Sequence, residues 1–103
     1  MAQIAAIVPD LFFASKVKET LTAAGHDVTL VAGEVPPADI VIVDLDAAGP
    51  AAAPPGVPRL GFYSHVEVET RQRAEKAGFD LVVPRSRMAR EMPELVARLL
   101  GSA

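Results

Sequence analysis

The chain has 103 residues, half of them hydrophobic, a formal net charge of −3 and no cysteine. That length supports one domain with a modest core, and the missing cysteine excludes a disulfide frame, a thiolate metal site and a cysteine nucleophile. No apolar run approaches the roughly 20 residues that cross a bilayer.

The first residues, Met1 to Val8, carry no basic segment, and Pro9 and Asp10 interrupt their apolar run at once. A signal peptide is therefore not expected, and a cytoplasmic location is. Charge is uneven: residues 1–58 hold two basic and seven acidic groups, residues 59–103 eight basic and six acidic. A net charge of −3 leaves no overall electrostatic footprint for nucleic acid, and the C-terminal part is only mildly basic.

Gln3 to Val8 reads as a strand apolar on both faces, ended by Pro9, which cannot donate to a ladder. Asp10 is placed to N-cap a helix over about Leu11 to Ala24, with Ala14, Val17, Leu21 and Ala24 as its apolar stripe and Gly25 as its C′ residue. Phe12 and Phe13 are adjacent on this helix and cannot both face the core.

Asp27 to Val31 is a second, shorter strand. Only Ala32 to Ala38 separates it from the next, and Gly33 with Pro36-Pro37 disfavours a helix there. Ala38 to Asp46, A-D-I-V-I-V-D-L-D, holds four consecutive β-branched residues and predicts a strand buried on both faces, as in the middle of a parallel sheet. Asp44 then stands at its carboxyl end, where sites form in such sheets.

The stretch A-A-G-P-A-A-A-P-P-G-V-P after Asp46 reads as an irregular or polyproline-like connection. Arg59 to Tyr63 is a fourth strand. Ser64 and Glu67 form a capping box for a helix to about Ala77, with Val66, Thr70, Ala74 and Ala77 inside and Gly78 at C′. Phe79 to Val83 is a fifth strand, stopped by Pro84.

Met88, Met92, Leu95, Val96, Leu99 and Leu100 give the last helix its apolar face. Its main part is expected from about Pro93, after a turn. Strands alternating with helices predict an α/β protein, a single domain over residues 1–103 with a parallel sheet and right-handed crossovers.

With these elements in order, the chain resembles a response-regulator receiver domain, the flavodoxin-like phosphoacceptor module of bacterial two-component signalling. The resemblance rests on Val8-Pro9-Asp10 after the first strand, Asp39 to Leu45 in the third, Ser64 after the fourth and Ala77-Gly78 before the fifth. It implies a five-stranded parallel sheet of order 2-1-3-4-5. It also implies Asp44 as phosphoacceptor, Asp10 and Asp44 as ligands of Mg²⁺, and Ser64 as a contact of the phosphoryl group.

Three features depart from the family. Pro9 stands where a second acid is usual. Val83-Pro84-Arg85 replaces the lysine–proline that ends the fifth strand. The connections flanking the central strand are too short and proline-rich for the usual second and third helices, so three main helices are expected.

The chemistry of the site can be weighed against simpler roles. Two carboxylates at strand ends make a hard oxygen site suited to Mg²⁺, which would offset charge on a phosphoryl donor while Asp44 attacks; the simpler reading is that both cap loops and helices. Ser64 is explained by the capping box alone; His65 is a candidate phosphoryl contact, with an exposed helix start the commoner role, and Asp46 a candidate further metal neighbour, with solvation in a loop the simpler reading. Arg85, Arg87 and Arg90 suit phosphate, with Arg85 the candidate contact; pairing with Glu91 and the acidic first half is the plainer account.

With two helices reduced, apolar sheet surface should remain for a homodimer or a partner such as a histidine kinase. The expected function is a stand-alone signalling domain, not an enzyme, acting through protein contact with or without phosphorylation of Asp44. The alternatives are a pseudo-receiver with a vestigial pocket, or a small nucleotide- or flavin-binding domain. Neither G-x-G-x-x-G nor a P-loop supports the last.

Overall fold

The computed structural model describes residues 2–64 and 68–101 of the chain. Five strands, β1 (Gln3–Ile7), β2 (Asp27–Leu30), β3 (Ile40–Asp44), β4 (Arg59–Tyr63) and β5 (Leu81–Pro84), form one sheet of order β2-β1-β3-β4-β5. All four pairings are parallel. The helices are α1 (Leu11–Ala23), α2 (Val68–Lys76) and α3 (Arg85–Gly101).

Alternation along β3 splits the core in two, because successive strand side chains point to opposite faces. Ile40 and Ile42 join Phe13, Val17 and Leu21 of α1 and Met88, Met92, Leu95, Val96 and Leu99 of α3. Val41 and Val43 join Leu45, Ala53, Phe79 and Ala74, the one buried residue of α2. On this second face Ile7, Val31, Val35, Ala38, Ala48 and Val57 are only partly buried. The chain supplies loops here, with a short 3-10 turn at Pro50–Ala52 inside the proline-rich connection.

The β2–β3 connection leaves nine residues, 31–39, to carry the chain across β1. It must shift about 10 Å sideways and about 16 Å back along the strands, and nine extended residues reach about 30 Å. A helix, at 1.5 Å per residue, would not reach.

Helices α1 and α2 end in the same way. The His26 amide bonds to the Leu21 carbonyl and the Gly25 amide to Thr22; Phe79 and Gly78 repeat the pattern on Ala74 and Glu75. This is the Schellman motif, with Gly25 at φ 95° and Gly78 at φ 91°. It explains why β5 begins at Leu81 and not, as expected, at Phe79: the Phe79 amide is used in closing α2.

Ala24 and Ala77, expected on apolar faces, are exposed at these helix ends. The segment before Pro93 is helical too, contrary to the turn expected there. The proline ring is incompatible with the carbonyl four residues back, and Glu91 leaves helical geometry (φ −118°, ψ 17°), so α3 is two helical stretches joined at a kink, the second starting near Pro93 as expected.

Candidate functional site

Parallel pairing brings the carboxyl ends of all five strands to one edge of the sheet, and Asp10, Asp44, Ser64 and Arg85 all lie at or just beyond those ends. Asp10 adopts the extended backbone of an N-cap and uses Oδ1 for the amides of Phe12 (3.0 Å) and Phe13 (3.4 Å). Its Oδ2 accepts from Arg85 Nη2 at 2.6 Å. The guanidinium also lies over the Phe13 ring, 4.3 Å from its centroid. The hydrogen bond from Arg85, then that from the Phe13 amide, holds the Asp10 carboxyl below its usual range.

Asp44, at the end of β3, is 5% exposed. Its Oδ1 accepts the Asp46 amide at 3.2 Å. Burial pushes its pKa up; bonds from the Ala47 and Asp46 amides oppose this, the Asp46 charge adds to it, and the Arg85 charge counters it. Asp46 is not simply solvated: its Oδ2 accepts the Ser64 amide and ties the loop after β3 to the end of β4. The Ser64 side chain is exposed, and the His65 and Glu67 assignments lie outside the described residues.

The arginine cluster divides as its plainer reading predicts. Arg87 and Arg90 pair with Glu91 at 3.4 and 3.2 Å, while Arg85 crosses to Asp10. The Arg85–Asp10 pair and the Asp46–Ser64 link were not visible in the sequence. The only available signal was that these groups all leave strand ends on one edge.

The resemblance implies Mg²⁺ at Asp10 and Asp44, and the residues do not fit it. One Asp10 oxygen caps α1 and the other is bound by a guanidinium that stays protonated, so a fixed cation stands where a divalent ion would need free oxygens. Among the described residues no group of three or more His, Asp or Glu side chains could hold a metal ion.

Among the described residues, two concavities adjoin this edge. One, of about 500 Å³, is lined by apolar residues including Val8, Leu11, Ala14, Leu30 and Val31. The other, of about 520 Å³, lies between α1 and α3 at the ends of β4 and β5.

Known structures share this fold. NtrX from Brucella abortus, solved in complex with ADP, superposes with a TM-score of 0.83 over 98% of this chain at 17% identity. A CheY-like response regulator from Mesorhizobium loti matches at 0.71 over 93%, with 19% identity, and covers 96% of that protein. The phosphorylated cyanobacterial phytochrome response regulator RcpA matches at 0.77 over 99%, with 13% identity and 96% of its own length covered.

This chain has the receiver fold. It spans 26% of the NtrX chain. No family model matches its sequence, and no curated protein does so either. The receiver likeness therefore lies in the topology. Among the described residues no helix is long and apolar enough to cross a membrane.

Proposed function

We propose that this chain is a signalling module of the receiver type that acts by contacting other proteins, with no turnover of its own and no metal-dependent phosphoryl switch. One observation carries the proposal: Arg85 Nη2 lies 2.6 Å from Asp10. A permanent cation held on the acid after β1 repels a divalent ion and supplies the positive charge that the strand-end acids need. A signalling partner, whether a histidine kinase, another regulator or a second copy of the chain, is supported by Leu11 and Phe12, which are 79% and 92% exposed at the start of α1, where Leu11 lines an apolar concavity.

Phosphorylation of Asp44 is the second reading, favoured by its place at the end of the central strand and opposed by its burial. Amide NMR titration with Mg²⁺ and then beryllofluoride, on the wild type and Asp44→Asn, separates the two. No response at millimolar Mg²⁺ is expected. Saturable shifts at Asp10, Asp44 and Ser64 that vanish in Asp44→Asn would establish the phospho-switch and overturn the proposal.

A further inference from the structure

The concavity between α1 and α3 has a chemistry that neither the fold nor the strand-end acids explain. Register pairs Tyr63 of β4 with Pro84 of β5, so the next residues, Ser64 and Arg85, leave the sheet side by side. From α1 come Phe13 and Lys16, three positions apart and thus on one face. The first turn of α3 adds Ser86 and Ala89.

The walls are apolar and aromatic, through Phe13, Tyr63, Pro84 and Ala89. The polar groups of the lining are two cations, Lys16 and Arg85, and three hydroxyls, those of Ser64, Ser86 and Tyr63, with no acid among the described lining residues. Asp10 neutralises Arg85 from one side by a single Nη, and among the described residues no other hydrogen bond occupies the guanidinium fork. Lys16 makes no ion pair among the described residues. The opening amides of α3 lack partners within their own helix and favour negative charge.

From this we infer that the α1–α3 concavity is a binding site for a small organic anion, a phosphate monoester or carboxylate carried on an aromatic or apolar body. Its volume, about 520 Å³, falls in the range of small-molecule sites, which combine apolar walls with a few convergent polar groups. The anionic head is placed at Lys16, Arg85 and Ser86, and the body against Phe13, Tyr63 and Ala89. Lys16 sets the preference for charge, and the ring faces set the preference for an apolar body. The inference does not depend on the absence of a phospho-switch at Asp44.

The test is an amide NMR titration of the whole chain with phenyl phosphate, inorganic phosphate and benzyl alcohol. Phenyl phosphate should give saturable shifts centred on Phe13, Lys16, Tyr63, Ser64, Ser86 and Ala89. Inorganic phosphate, lacking the body, should bind more weakly, and benzyl alcohol, lacking the charge, more weakly still.

Lys16→Gln changes an exposed side chain, so the folded spectrum should persist while affinity for phenyl phosphate falls about fivefold. Added salt should weaken binding to the wild type. Shifts that do not saturate, that scatter over the surface, or that are unchanged in Lys16→Gln would overturn the assignment. Equal affinity for phenyl phosphate and inorganic phosphate would remove the apolar body from it.

Discussion

At the scale of single residues, Asp44 sits where its charge is unfavourable. Burial raises its pKa above the unfolded-chain value, so between the two values the folded protein holds the extra proton and stability falls as pH rises through that window. Above it the full penalty applies. Asn keeps an oxygen to accept the Asp46 amide and removes the charge, so Asp44→Asn should be more stable than the wild type at pH 7 by about 1 kcal/mol. The gain should disappear below the ordinary carboxylate range, where Asp44 is neutral. Urea unfolding at several pH values checks this; a destabilised Asp44→Asn at pH 7 would mean that the carboxylate charge is held by contacts stronger than its desolvation.

That Asp44 would end a buried strand could be read from I-V-I-V-D, because a β-branched run closed by an acid has few other uses. The partner of Asp10 could not be read. Arg85 follows a proline and lies 75 positions away, and only the sheet order places the two within reach. The same holds for Asp46, whose carboxylate looks like an ordinary loop acid until β4 brings the Ser64 amide to it.

Among the elements, β4 shows how tightly the second face of the sheet is closed. A Cβ on Gly61 would lie 2.8 Å from Leu45 Cδ1 and 3.0 Å from Phe79 Cδ2. Both neighbours are buried side chains of the same cluster, so neither has open space to move into. Gly61→Ala should therefore lower stability by about 1–3 kcal/mol through overpacking, despite the better strand propensity of alanine. Chemical denaturation of this variant, with a spectrum showing the fold intact, is the check; a neutral effect would show that Leu45 or Phe79 has an alternative rotamer.

In the sequence R-L-G-F-Y this glycine looks like a weak spot in a strand; its packing role depends on Leu45 and Phe79 arriving from elsewhere. Local signals succeeded where the cause is local, as at the Asp10 cap and the Gly25 and Gly78 stops. They failed at Phe79, where an apolar residue suited to a strand is recruited to end a helix, and in the stretch before the break at Glu91, which is helical and not a turn.

For the molecule as a whole, the reduced connections flanking β3 leave the sheet unequally covered. Two helices close one face, while α2 and loops share the other. The sequence showed that helices were missing but not where exposed apolar surface would gather, since that depends on how the loops fold back. It gathers at the start of α1.

Single exposed apolar residues are ordinary, but Leu11 lines an apolar concavity with Val8, Leu30 and Val31, and the exposed Phe12 follows it on α1. A projection and a recess on one surface are what a two-fold interface requires, because each copy must offer both halves of the contact. Sedimentation equilibrium of the wild type should show a concentration-dependent dimer, and Phe12→Ser should shift it to monomer. With Phe12 already 92% exposed, the substitution should leave thermal unfolding of the monomer nearly unchanged. A wild type that stays monomeric at millimolar concentration would exclude the self-contact and assign this surface to a different protein, since the recess and Phe12 would then still lack an occupant.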